Sequence, residues 1–209
     1  DNPGGMESVI MNYYRHIDRS VLQFEFLCNT EKVAYEDEIR KLGGVIHNIC
    51  ARSKNLKQYK HDMTEFFKNN AEKYCALWFN TCSLSNIDYL VYATKYHIPK
   101  RIIHCHNAAN GGDSFLRNLL HKYHQRKVFK YATDFWTCNQ DSDLWFFGKS
   151  SKELPNYRVI YNAIDLDYFA PNDEIRKEYR SKLNISNEIL LGHDGRFHYQ
   201  KNQEFLIKV

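Results

Sequence analysis

The residues most able to do chemistry fall in three short segments. The first is Ile102-Ile103-His104-Cys105-His106-Asn107, an apolar run that turns polar at its end. Alternation along a strand puts His104 and His106 on the same side. An imidazole can exchange a proton near neutral pH or bind a hydroxyl. Three readings fit: a structural histidine pair with satisfied hydrogen bonds, a zinc site of which only two ligands are visible, or a substrate-contacting His106 with Asn107 beside it. The second segment is Gly195-Arg196-Phe197-His198-Tyr199-Gln200-Lys201-Asn202. Arginine grips phosphate through a planar fork and lysine adds a point charge, so Arg196 and Lys201 suit a diphosphate. A solvated basic turn is the alternative. The third is Gly4-Gly5. Glycines opening a helix let backbone N–H groups approach a phosphate or sugar oxygen closely; a plain tight turn uses them equally well.

These segments need elements to hold them. Met6, Val9, Ile10, Tyr13 and Ile17 recur at helical spacing after the glycines. Helices are also expected over 35–42, 56–71, 84–96, 114–131 and 142–147. Strands are expected over 21–28, 45–50, 75–79, 101–105, 135–138 and 159–161. This alternation predicts an α/β fold, a Rossmann-like parallel sheet with helices on both faces. Ligands of such sheets bind beyond the carboxyl ends of the strands, where His106 and Asn107 fall. Asn110-Gly111-Gly112-Asp113 follows as a lid, or as a loop with a helix cap at Asp113 or Ser114. A Rossmann-like unit starts with a strand, and Asp1-Asn2-Pro3-Gly4-Gly5 is not one, so a strand upstream is expected.

The pattern changes near Asn162. Asn162-Ala163-Ile164-Asp165 leads into a polar stretch with Pro171, then a charged helix over 173–183, a strand at Ile189-Leu190-Leu191-Gly192 and a further loop and helix. One strand and one helix cannot enclose a core. Two domains are therefore expected, 1–165 and the opening of a second over 166–209.

Composition excludes more than it selects. Hydrophobic residues are 43% and charged residues 26%, ordinary for a globular chain. No apolar run is long enough to span a membrane as a helix, and no secretory signal is visible. The six cysteines form no C-x-x-C pair and read as buried, reduced thiols of a cytoplasmic protein. A net charge of +4 permits contact with phosphates or an anionic surface without demanding it. The segment from Arg117 to Lys130 interleaves basic residues with Phe115, Leu119, Leu120, Tyr123, Val128 and Phe129. Such a helix lies on an anionic membrane or, more commonly, buries one face and wets the other. No nucleic-acid signature accompanies it.

The order of motifs carries more than any one of them. Gly4-Gly5-x-Glu7 opens a helix, a strand ends in His106-Asn107, and Cys138-Asn139-Gln140 precedes a helix ending Phe146-Phe147-Gly148. Val159-Ile160-Tyr161-Asn162-Ala163-Ile164-Asp165 and Gly195-Arg196-Phe197 … Gln200-Lys201-Asn202 follow. The series resembles the retaining GT-B glycosyltransferases of the family 4 type, especially those of bacterial capsular and exopolysaccharide assembly. It covers essentially the whole chain, and its last two segments are the most specific.

That resemblance implies an acceptor-side N-terminal domain facing a nucleotide-sugar domain across a cleft. It implies that Gly5 approaches the donor phosphate, with Gly4 and Asn107 lining the cleft and His106 catalytic beside the reacting sugar. It further implies that Arg196 and Lys201 neutralise the diphosphate and that Asn162 to Asp165 form the hinge. No metal or other cofactor is expected. The implied partners are a nucleotide sugar and a saccharide or lipid-linked acceptor, on the inner face of the cytoplasmic membrane. Ala163 stands where the family favours glycine, and Asn139 where it favours serine. The family's paired donor-binding glutamates lie beyond this sequence, so the chain alone is expected to bind donor weakly and catalyse little. The competing readings are a non-catalytic sugar- or partner-binding module and a dinucleotide-type enzyme; the second lacks G-x-G-x-x-G after a first strand.

Overall fold

The structure, a computed structural model, describes residues 4–107, 114–140, 142–195, 197 and 201–208. The chain divides into two compact units, 1–164 and 165–209.

The first unit alternates helix and strand in chain order: α1 (Gly5–His16), β1 (Glu25–Cys28), α2 (Glu36–Lys41), β2 (Val45–Asn48), α3 (Leu56–Asn70), β3 (Ala76–Thr81), α4 (Asp88–Lys95), β4 (Lys100–Cys105), α5 (Phe115–Lys127), β5 (Asp134–Thr137), α6 (Ser142–Phe147) and β6 (Tyr157–Val159). All pairings are parallel. β1 pairs with β2, and β3, β4, β5 and β6 lie side by side in that order. The fold is thus the expected α/β arrangement, as two sheets. Side chains connect their neighbouring strands: the Tyr74 hydroxyl donates to Glu25 Oε2 at 2.5 Å, and the Phe24 and Trp78 rings lie 5.8 Å apart.

Period-two alternation gives each sheet two apolar faces. On the larger sheet, Ile103, Cys105 and Phe135 point toward Leu84, Leu90, Val128, Phe146 and Phe147 from α4–α6 and their flanks. The opposite face carries Trp78, His104 and Trp136, with Tyr13 of α1 set edge-on to Trp78 at 6.2 Å. On the smaller sheet, Phe24, Phe26 and Ile46 meet Tyr14 of α1 and Ile39 of α2. Leu27 faces the cluster around Tyr59, Met63 and Phe67 of α3. Helix starts are capped by side chains: Asn55 Oδ1 accepts from the Gln58 N–H, and Ser114 Oγ from the Arg117 N–H. Gly43, at φ +85°, ends α2 in the left-handed region that favours glycine.

Several expectations are corrected. Val21 to Gln23 are not strand: the Val21 and Leu22 N–H groups bond the Asp18 carbonyl in a turn. Leu84 to Ile87 are loop, because Asn86 Oδ1 accepts from the Asp88 N–H and starts α4 only there. Of the cysteines only Cys105 is buried; Cys75 and Cys82 are exposed, since both lie just outside the ends of β3. No disulfide joins any of the six.

The second unit holds α7 (Asp173–Lys182), capped by Asn172, and α8 (Gln203–Lys208). Ile189 to Gly192 form no strand. A strand needs a neighbour to satisfy its backbone, and residues 165–208 offer none among those described. Ile189, Leu190 and Leu191 are exposed, and no described residue of this unit is buried.

Candidate active site

His106 and Asn107 sit immediately beyond the carboxyl end of β4, tied to the end of β3 by three bonds. The His106 N–H donates to the Thr81 carbonyl at 3.1 Å. His106 Nε2 and Asn80 Oδ1 are 2.9 Å apart. Asn107 Nδ2 donates to the Cys82 carbonyl at 3.3 Å. The Asn107 amide therefore anchors its loop.

His104 lies beneath, its ring centroid 4.3 Å from that of His106 and stacked on Trp78 at 5.8 Å. It is 0% exposed, and among the described residues no group meets either ring nitrogen in good hydrogen-bond geometry; the same holds for the indole N–H groups of Trp78 and Trp136. Each such group costs about 1–3 kcal/mol. Burial pushes the His104 pKa down to about 3, helped by His106 and opposed only in part by the Ile160 backbone. Burial also lowers His106 to about 4, against the opposing pull of Glu7. Both imidazoles are neutral at pH 7. Within the pair, His106 has a partner at Nε2, while neither nitrogen of His104 meets one in good geometry among the described residues. Among the described residues no group of three or more His, Cys, Asp or Glu side chains could hold a metal ion.

α1 packs on this face of the sheet through Tyr13 and Trp78, and the Glu7 carboxylate at its start acts on His106. Glu7 Oε2 accepts from the Gly4 N–H at 3.1 Å, and a side chain at Gly4 would strike that oxygen at 2.7 Å. Gly5 differs: a Cβ there would meet nothing within 4 Å. After β6, the Tyr13 hydroxyl donates to the Tyr161 carbonyl at 2.8 Å, fixing the chain just ahead of Asn162. After β5, Asn139 Oδ1 accepts from Ser142 Oγ at 2.6 Å, which gives Asn139 a structural task at the start of α6.

The structure thus brings Gly4, Gly5, His106 and Asn107 to one end of the first unit. Asn162 is exposed and irregular, and the division into units falls between Ile164 and Asp165. Asp165 Oδ1 accepts from the N–H groups of Asp167 and Tyr168, closing a turn within the second unit. Lys201 belongs to that unit and is exposed; its stem runs beside Gly195. Arg196 lies outside the described residues, as does the expected lid at 110–113. Sequence spacing alone misses Asn80; its place one residue before the end of a strand, level with His104 on the next strand, is the available signal.

α5 departs from the expected burial. Its inward side is polar: His121 Nδ1 accepts from the Leu84 N–H, His124 Nδ1 donates to the Leu84 carbonyl and Gln125 Nε2 donates to the Trp145 carbonyl. Its apolar side faces out, with Phe115 85%, Leu119 55% and Tyr123 54% exposed. Lys127 lies over the Tyr123 ring.

Against known proteins, no family model matches the chain. The chain is 30% identical, over its entire length, to the protein named "Putative glycosyltransferase EpsF" of Bacillus subtilis (strain 168). It is a homologue of that protein. The fold matches HepE of Anabaena, solved with UDP and glucose, at a TM-score of 0.72 with 18% identity over 99% of this chain. A second HepE structure, with UDP-glucose, gives a TM-score of 0.66. The α/β architecture of the chain is therefore one that HepE shares over the matched residues. The chain spans about half the length of these proteins, 55% of EpsF and 53% of the HepE chain. No helix among the described residues is long and apolar enough to cross a membrane.

Proposed function

We propose that this chain belongs to a glycosyltransferase that moves a sugar from a nucleotide-sugar donor to a saccharide or lipid-linked saccharide acceptor. The similarity of the whole chain to about half of EpsF carries the reading, and the HepE structures with UDP and glucose and with UDP-glucose support the donor class. Residues 1–165 form the acceptor-side domain, 166–209 open the donor domain, and Asn162 to Asp165 are the hinge. We place the protein in the family 4 type, with retention of configuration and a role in capsular or exopolysaccharide assembly.

Departure of a nucleoside diphosphate builds negative charge on the phosphates and positive character on the anomeric carbon. His106, neutral at pH 7, supplies hydrogen-bonding capacity beside the sugar and no compensating charge. Arg196 and Lys201 carry that charge without a metal, and the backbone at Gly5 approaches the phosphate. Gly4 and Asn107 shape the rim. In retention the acceptor attacks the face from which the diphosphate leaves. The outward apolar stripe of α5, flanked by Arg117, Lys122, Arg126 and Lys127, supports contact with the inner face of an anionic membrane.

The test is nucleoside diphosphate release by the full-length protein with a panel of UDP-, GDP- and dTDP-sugars, with and without membrane lipid extract. Release that collapses in Arg196→Ala and Lys201→Ala is expected. A panel silent under both conditions, with no donor binding by calorimetry, would overturn the transferase reading in favour of a binding module.

A further inference from the structure

His106 has two ring nitrogens, and its chemistry depends on which one carries the proton. Asn80 decides this through its own amide. Asn80 Nδ2 donates to the Trp78 carbonyl at 3.3 Å, an acceptor that can take nothing but a donor. This turns Asn80 Oδ1 toward His106 Nε2, 2.9 Å away. A carbonyl oxygen can only accept, so Nε2 bears the hydrogen and Nδ1 keeps its lone pair. No described residue bonds Nδ1.

We propose that Asn80 is a positioning residue that locks the His106 tautomer, so that His106 meets its ligand as an acceptor only and selects a sugar with a free hydroxyl at that point. The chain of constraint runs from the β3 backbone through one amide to one imidazole nitrogen. Strand pairing fixes its base, because Asn80 is in register with His104 on β4. His104 beneath is neutral as well. The charged group acting on His106 among the described residues is Glu7 of α1, whose carboxylate is held by the Gly4 N–H. A neutral imidazole with its donor already engaged cannot serve an ether or a second acceptor; a hydroxyl that gives its hydrogen to Nδ1 fits.

The selectivity rests on the placement of His106 in the sugar site proposed above; the tautomer lock does not. The test uses full-length protein labelled with ¹⁵N-histidine, with the His106 resonance assigned by its loss in His106→Gln. At pH 7 the wild type should show a pyridine-like Nδ1 and a protonated Nε2. Asn80→Leu should mix the tautomers and lower kcat/KM about tenfold for the nucleotide sugar turned over fastest in the panel, as expected for one lost hydrogen bond. Asn80→Asp should keep the tautomer and raise the His106 pKa, moving the acid limb of the pH–rate profile upward. A protonated Nδ1 in the wild type, or an unchanged tautomer in Asn80→Leu, would overturn the lock whatever the activity. A responsive tautomer with full turnover in both Asn80→Leu and His106→Ala would overturn the selectivity and the sugar-site placement while leaving the lock standing. Should Asn80→Leu fail to fold, the wild-type spectrum and Asn80→Asp still decide the matter.

Discussion

Alanine at Gly5 should leave the fold intact and weaken binding of a nucleotide sugar. Gly5 is the first residue of α1, and a Cβ there would meet nothing within 4 Å. No described residue requires glycine at this position. Alanine is the better helix former, so stability should stay level or rise by up to about 1 kcal/mol. For a unit of this size that is at most about 2–4 °C in Tm. Gly44 is the contrast. A Cβ there would come within 2.8 Å of both Ile39 Cγ2 and the Tyr14 hydroxyl, and within 3.0 Å of the Ile39 carbonyl. Tyr14 and Ile39 are core, so Gly44→Ala should cost about 1–3 kcal/mol. If a donor phosphate reaches the backbone at Gly5, a methyl group there displaces it. Losing one charge-assisted hydrogen bond, about 1.5–3 kcal/mol, weakens Kd by roughly 10- to 150-fold. The assay pairs thermal unfolding of both variants of the full-length protein with calorimetry against its nucleotide sugar. A Gly5→Ala variant that loses stability like Gly44→Ala would show that the fold, not the ligand, sets this glycine. One that stays stable and binds donor as tightly as wild type would remove the phosphate from this helix start.

Acid should weaken the protein in a window set by the two histidines. Folding lowers His104 from 6.5 to about 3 and His106 from 6.5 to about 4, so below pH 6.5 the unfolded chain takes up protons that the folded chain refuses. Stability is full above pH 6.5 and falls as pH drops toward 4, by on the order of 5 kcal/mol from pH 7 to 4.5 at about 1.4 kcal/mol per unit for each group. His104→Phe, which removes two unpartnered nitrogens from an aromatic nest, should roughly halve that loss and hold or raise stability at pH 7; urea midpoints at the two pH values check both claims. The outward stripe of α5 gives a third expectation: full-length protein should cosediment with anionic vesicles at low salt, and Phe115→Ser with Leu119→Ser should reduce this at least tenfold with an unchanged thermal midpoint. Equal sedimentation of wild type and double variant would reduce the stripe to an exposed surface.

Much of the fold was legible because it is written in local pattern. Runs such as Arg101 to Cys105 are short and apolar with adjacent β-branched residues, and Leu56 to Asn70 carries a 3.6 period behind an Asn cap, so each element announces itself within its own span. The failures come where the deciding partner lies elsewhere. Val21 and Leu22 look like strand until the Asp18 carbonyl claims their N–H groups. Ile189 to Leu191 look like strand and find no neighbour among the described residues. In α5 the apolar residues were legible as a stripe, yet which side they face depends on His121, His124 and Gln125 bonding the Leu84 and Trp145 backbones across the unit.

The candidate site divides along the same line. His106 and Asn107 were visible as polar residues ending an apolar run, and the strand rule alone puts them where ligands bind. What makes His106 one kind of reagent rather than another was not visible. That depends on an amide 26 residues earlier, whose orientation is in turn set by a main-chain carbonyl of its own strand. Sequence spacing shows which side chains share a face, since that follows from backbone geometry. It does not show donor and acceptor states, which are settled pairwise between neighbouring strands. The proton position on an imidazole is therefore a tertiary property, and substitutions at Asn80 should alter the chemistry of His106 without touching the segment that betrayed it.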